Sequence, residues 1–319
     1  MMKKIIFFIK LSLDAIRDTK KIIKYFSLIE INGYFVIFKI FFIRFFYCFQ
    51  YIRSKQAILI SNKSNEFIYL EEEYFKVDNI SKNINDIGYS PIFHLKNNYL
   101  KNIIDYVFQS KNIDIKSSNT NKSELLKKIN EPLNDYFLRL ENLKVSRFTG
   151  TLNLHNNSLL KDFLLSGAMV NLAKSYLNTN DFSVNASFFV SNPIQISEAE
   201  KYQNAQYFHW DNDFKKFFKL YLYLTDVNDG GGPHIFIPGT HKKKLPRHQL
   251  CRLYSDKQIY SSYPESKKFL GRAGSLFFVD SYGIHKGETP TSNSRLLLNV
   301  HYGKGKLLYS KDDFYFNNK

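Results

Sequence analysis

One short stretch, "QYFHWDNDFKKF" at 206–217, crowds a His and two carboxylates into five positions: His209, Asp211 and Asp213. Trp210, the chain's single Trp, stands between the first two. In an extended backbone, residues i and i+2 project to the same side, so His209 and Asp211 are placed to grip one ion. Two protein ligands are too few for a redox metal. Non-haem Fe(II) sites use two His and one carboxylate, so a third ligand has to arrive on another strand. His94 and His155 precede the stretch, and His234, His241, His248, His285 and His301 follow it. His285 stands out because Arg295 comes ten residues later, opening the apolar run "RLLLNV". A guanidinium on a buried strand needs an anionic partner, and a dicarboxylate offers one with bidentate geometry.

Each residue also has a purely structural reading. His209 and Asp211 could sit in a polar turn, and His285 could be a hydrogen-bonded strand-end His. Arg295 could pair with an acid such as Asp280. Asp213 reads as solvated or capping. His234 and His241 bracket "IFIPGT", which reads as strand and turn framework. Trp210 points away from its neighbours in an extended backbone and reads as a packing residue.

These residues need strands to hold them. After residue 180 the pattern turns to short runs broken by Gly and Pro. They are "FSVNASFFVSNP", "KLYLYLTDV" at 219–227, "HIFIPG" at 234–239, "SLFFVD" at 275–280 and "RLLLNVHYG" at 295–303. "KLYLYLTDV" alternates as a strand with one buried face should. Such a series predicts a sandwich or barrel. Helices come earlier. "NTNKSELLKKINEPLNDYFLRLENL" at 119–143 carries a capping signature at Ser123 and is ended or kinked by Pro132. "NNSLLKDFLLSGAMVNLAKSYLN" at 156–178 has helical apolar spacing. "SNKSNEF" at 61–67 is a polar loop. Residues 1–60 form a basic, aromatic, helical segment, and 61–319 form the domain that carries the chemistry.

The 319 residues are 44% hydrophobic, with 30 Phe and 22 Tyr, enough for a sizeable core. The net charge is +16 and the pI about 9.5. No block of five like charges occurs, so the Lys residues read first as a scattered surface. Two distant Cys, Cys48 and Cys251, exclude a disulfide scaffold or a thiolate zinc site. They fit a reducing, cytoplasmic setting. The apolar run in "MMKKIIFFIK" is short, with no small-residue cleavage site after it, which argues against secretion. The run at 34–52 is nearly long enough to span a bilayer. Lys39 and Arg44 inside it would each cost roughly 2.5–3.5 kcal/mol at the bilayer centre. An interfacial helix or a helix packed on the domain fits better.

"AQYFHWDND", "KLYLYLTDVNDGGGPHIFIPGTHK" and "GRAGSLFFVDSYGIHKGETPTSNSR" resemble, in order and spacing, successive motifs of the phytanoyl-CoA dioxygenase-like proteins. These are a family of Fe(II)- and 2-oxoglutarate-dependent oxygenases. HxD alone is a weak signal; HxD with the LTDV strand, the PGTH turn and the His-x9-Arg pair is a strong one. The resemblance covers about residues 180–305. It implies a double-stranded β-helix (jelly-roll, cupin-like) core flanked by helices. It implies a hydroxylase that uses Fe(II), 2-oxoglutarate and O2. His209, Asp211 and His285 would be the iron ligands, and Arg295 would bind the distal carboxylate of 2-oxoglutarate. Tyr221 would flank that co-substrate. Where the family often places a Ser two residues after the distal His, this chain has Gly287, and Thr289 is the nearest hydroxyl. Asp211 retains the carboxylate that halogenases of the superfamily lack. His301 occupies the position where nucleic-acid demethylases carry a second Arg, so no nucleic-acid partner is expected. The expected partner is a small molecule, anionic or lipid-linked, with peripheral membrane contact through 34–52 as a further expectation. Two other classes stay open: a jelly-roll binding protein without turnover, and a membrane-peripheral protein whose oxygenase domain is secondary.

Overall fold

The computed structural model describes residues 69–72, 75–109, 114–116, 122–127, 131–152, 154, 158–204, 206–211, 216–250, 253–304 and 314–316. The expectations for 1–60, for the membrane contact at 34–52, for the loop at 61–67 and for Asp213 lie outside them. Thirteen strands occur among the described residues: β1 (Phe93–His94), β2 (Asp114–Lys116), β3 (Arg147–Leu152), β4 (Phe182–Ser191), β5 (Phe208–His209), β6 (Phe217–Tyr223), β7 (His234–Phe236), β8 (Leu253–Tyr254), β9 (Lys267–Phe269), β10 (Ser275–Val279), β11 (His285–Gly287), β12 (Arg295–Lys304) and β13 (Phe314–Phe316). They form two antiparallel sheets. The larger runs β1-β10-β6-β12-β4-β3-β2, with β13 added beside β4, and the smaller runs β8-β5-β11-β7-β9. The fold is a double-stranded β-helix with flanking helices.

Alternation on the long strands decides which side carries what. On β12, Leu296, Leu298, Val300 and Tyr302 join one large apolar core with Leu220 and Leu222 of β6 and Phe188 and Val190 of β4. Helix residues Ile80, Ile84, Leu172 and Tyr176 complete that core. Successive strand side chains point to opposite faces, so Arg295, Leu297, Asn299 and His301 face into the barrel. There Leu297 packs with Tyr221, Tyr223, Phe236, Phe269 and Phe277 in a separate cluster. One side of the large sheet is thus clad in helices, and the other is left for chemistry.

Two helices, Val77–Ile87 and Gly167–Leu177, pack together beneath that sheet. Val77, Ile80, Ser81 and Ile84 are the buried residues of the first, at i, i+3, i+4 and i+7. Gly88 ends it at φ 96°, and a Cβ there would lie 2.5 Å from the Phe236 ring. Only glycine tolerates both the backbone and the approach. The helix expected over 156–178 is two, Ser158–Leu164 and Gly167–Leu177. Ser166, at φ −57° and ψ 155°, breaks it. Ser and Gly side by side are weak helix formers. Pro132 begins the helix Leu133–Asn142 and separates it from the turn at Lys122–Leu125.

Candidate metal and co-substrate site

His209 on β5 and His285 on β11 are direct cross-strand partners in the smaller sheet, with ring centroids 4.3 Å apart. Asp211 follows β5, where its N–H donates to the Ser281 carbonyl at 2.8 Å. Its Oδ1 lies 3.8 Å from His209 Nε2 and its Oδ2 3.6 Å from His285 Nε2. One ligand atom from each of the three falls within 4.8 Å of the others, a set that could hold a metal ion. Nδ1 of His209 lies 2.9 Å from the Tyr207 carbonyl, and Nδ1 of His285 lies 2.9 Å from that of Gly283. A carbonyl can only accept, so both Nδ1 atoms carry the proton and each Nε2 keeps its lone pair for a cation. Burial and then neighbouring His209 push the His285 imidazole down to about 3. It is neutral at pH 7, as a metal ligand must be. Burial alone would raise the Asp211 carboxyl, but Lys219, His285 and His209 together hold it well below the usual carboxylate range.

Arg295 reaches the same interior from the larger sheet. It is 5% exposed, and its Nε and Nη1 are buried without donating a hydrogen bond. The salt bridge to Asp280 is not formed. Asp280 instead accepts from the Tyr176 hydroxyl at 2.5 Å and from the Tyr282 N–H at 3.0 Å. A buried guanidinium left with unused donors fits a carboxylate ligand. At Gly287, two residues beyond His285, a Cβ would stand 3.3 Å from Arg295 Nη2. The guanidinium therefore packs where a side chain would otherwise be. Tyr221 lies on β6, 6% exposed, with its ring 4.6 Å from that of His234. Burial raises its phenol pKa, so it stays protonated and can donate. Thr289, just past β11, donates to Gln206 Oε1 at 2.9 Å and ties that loop to the segment before β5.

Two residues at the site escaped the sequence reading. Lys219 Nζ donates to Asp211 Oδ2 at 2.6 Å. The signal was present in "KLYLYL", where Lys219, Tyr221 and Tyr223 share one face. His234 opens strand β7, as the framework reading expects, and also faces the site. Its ring stacks on that of His285 at 5.3 Å and its Nε2 is buried without a partner. His241 is framework, with Nε2 held 2.9 Å from the Asn85 carbonyl. The same turn supports β11, because the Ile284 N–H donates to Thr240 Oγ1 at 2.8 Å. Trp210 packs as expected, edge-on to Tyr282 at 5.4 Å.

The family model for phytanoyl-CoA dioxygenase (PhyH) matches residues 116–296, more than half of the chain. The chain belongs to the phytanoyl-CoA dioxygenase family. Among solved structures, EctD from S. alaskensis in its apoform is similar at a TM-score of 0.50 and 10% identity, over 78% of this chain and 82% of that one. That likeness shows a shared fold. HygX from Streptomyces hygroscopicus, with nickel and 2-oxoglutarate bound, is similar at a TM-score of 0.47 and 11% identity, over 73% and 88% of the two chains. The epimerase SnoN, in complex with Fe3+, alpha ketoglutarate and nogalamycin RO, gives 0.47 and 12%, over 72% and 83%. No curated protein matches the chain.

Proposed function

We propose that this protein is an Fe(II)- and 2-oxoglutarate-dependent dioxygenase that hydroxylates a small organic substrate. One observation carries the reading. Arg295, buried with unused donors, comes from one sheet and points into the barrel, where the other sheet presents His209, Asp211 and His285. On this reading those three residues hold the iron and Arg295 pairs with the distal carboxylate of 2-oxoglutarate. Iron with 2-oxoglutarate and O2 supplies the oxidising chemistry. The chain's own part is positioning. The Tyr207 and Gly283 carbonyls orient the two imidazoles, and Lys219 keeps Asp211 ionised. Tyr221 flanks the co-substrate, and the aromatic cluster of Phe236, Phe269 and Phe277 keeps bulk water from it. Thr289 stands by that end of the barrel as the nearest hydroxyl after Gly287.

The reading extends to the rest of the chain. Residues 61–319 form the oxygenase domain, and residues 1–60 a basic aromatic segment whose stretch 34–52 either packs on that domain or contacts a membrane surface, in a cytoplasmic setting. Among the described residues no helix is long and apolar enough to cross a membrane. Liposome sedimentation of the full chain, with and without residues 1–60, tests that part. The main test is binding of Fe(II) or Mn(II) and of 2-oxoglutarate by calorimetry, followed by O2-dependent succinate formation. Both ligands bind the parent, and His209→Ala loses the metal. Indifference of binding and turnover to that substitution overturns the reading. Binding without succinate formation leaves a jelly-roll binding protein in its place.

A further inference from the structure

A row of polar side chains crosses the barrel face of the larger sheet. Arg147, at the start of β3, pairs with Ser191 of β4. Ser191 pairs on its other side with Arg295. Directly paired residues place their side chains on the same face, so both arginines and the serine look into the barrel. The two guanidinium-bearing positions are two strand spacings apart, about 10 Å. Phe189, next along that face of β4, lies 4.8 Å beneath the Arg147 guanidinium. Among the described residues no carboxylate pairs with Arg147. Between the arginines, Ser191 is fully buried and its hydroxyl has no partner. Burial, and then Arg295, lower the Arg147 guanidinium to about 10. A second positive charge thus stands on the same sheet face as Arg295, partly screened from water.

Charge decides what such a place is for. A divalent metal and a dianionic keto acid cancel each other. Lys219 and Asp211 form their own pair. Glu288, the acid that acts on Arg295 without an ion pair, also lies 3.5 Å from Lys268 and 3.7 Å from Lys286, which have closer partners in Asp229 and Asp256. Arg295 thus has Glu288 and the co-substrate carboxylate to answer its charge, whereas Arg147, partly buried, is left as net positive charge on the barrel face of the sheet. Arg295 touches Gly287, on the strand of His285, and so stands at the co-substrate end. Arg147 stands two strands further out. We infer that Arg147 and Ser191 build a second anion site, which receives a carboxylate or phosphate group of the primary substrate. This rests on the proposed oxygenase reading and narrows its substrate to an anionic small molecule.

The experiment uses the full-length protein with Mn(II), in the absence of oxygen and at constant ionic strength. Butanoate, butyl phosphate and neutral butanol are titrated by calorimetry, with and without saturating 2-oxoglutarate. One of the two anions binds saturably beside 2-oxoglutarate and identifies the group, while butanol does not bind. Arg147→Gln weakens that anion by about tenfold or more, the scale of a lost charge-assisted hydrogen bond. Arg147→Lys keeps part of it, and neither variant moves 2-oxoglutarate affinity beyond about threefold. Melting temperatures confirm that both variants fold. The inference is overturned if neither anion saturates, if the anion binds Arg147→Gln as well as the parent, or if Arg147→Gln weakens 2-oxoglutarate. A parent that binds no 2-oxoglutarate removes the oxygenase reading instead, and the titrations without it still decide whether Arg147 holds an anion.

Discussion

Lys244 and Arg295 are both buried cations with donors that make no hydrogen bond, yet their surroundings differ in kind. Lys244 Nζ sits 3.4 Å from the centre of the Tyr282 ring and 5.1 Å from that of Trp210. Asp280 acts on it without forming an ion pair. Aromatic faces stand in for water there. Among the described residues Arg295 has no aromatic face against it; Tyr223, Tyr221 and Glu288 favour its charge and Arg147 opposes it, and it looks into a barrel that also holds three side chains able to take a metal ion. Burial alone does not distinguish structure from function. The aromatic clasp, present at Lys244 and missing at Arg295, does.

The sharpest way to break this comparison is Arg295→Gln. If Arg295 waits for a ligand, 2-oxoglutarate affinity falls by about 2–4 kcal/mol, some thirty- to thousandfold, as for a truncated buried charge pair. The melting temperature in the absence of ligand holds or rises, because an uncompensated buried charge has been removed. A variant that binds 2-oxoglutarate like the parent but melts many degrees lower would place Arg295 with Lys244, as a structural cation.

Lys244 gives the converse experiment, through pH. Burial lowers its pKa from the ordinary 10.5 to about 7, against the pull of Asp280. Between those values the unfolded chain holds a proton that the folded chain has released. Stability therefore rises with pH across that window, by up to about 1.4 kcal/mol per unit. Lys244→Met, similar in volume and without charge, removes this slope. Denaturant melts of both proteins at pH 7, 8 and 9 measure it, and 2-oxoglutarate affinity stays within about threefold of the parent at pH 7. Equal slopes in the two proteins would mean that the aromatic faces hold the ammonium charged throughout.

The comparison also shows what could be read without coordinates. His209, Asp211, His285 and Arg295 were picked out because HxD and His-x9-Arg are each local in the chain, whereas their meeting from two facing sheets rests on the fold. Trp210 was legible for the same reason, from the opposite face. Lys219 was within reach, two residues before Tyr221 on an alternating strand. The contact of His234 with His285 was not foreseen, because "HIFIPG" does not say which sheet face is the barrel interior. Arg147 was out of reach. Its partner Ser191 lies 44 positions away, and only the β3–β4 register sets it in a row with Arg295. Thr289 was chosen as the nearest hydroxyl by number, and its bond to Gln206 depends on a loop contact that no spacing reveals. The helices were legible in position but not in their break at Ser166, where local backbone preference outweighs apolar spacing.

The smallest perturbation tests how closely the Arg295 side of the comparison is fitted. A Cβ on residue 287 would stand 3.3 Å from Nη2 and 3.8 Å from Nη1 of Arg295, with no other heavy atom within 4 Å. The guanidinium then has to give by a few tenths of an ångström. Backbone strain is not involved, since Gly287 is not among the residues at positive φ. Gly287→Ala therefore weakens 2-oxoglutarate by about threefold to tenfold, up to one displaced hydrogen bond, and leaves Mn(II) affinity unchanged. Gly287→Ser adds a hydroxyl that can donate to the same carboxylate and recovers part of the loss. Calorimetry on the two variants separates the contributions. If Gly287→Ala weakens Mn(II) as much as 2-oxoglutarate, β11 itself has shifted and carried His285 with it. If neither ligand notices the methyl group, the guanidinium is loosely held, and the contrast with the aromatic clasp on Lys244 is one of rigidity as well as of charge.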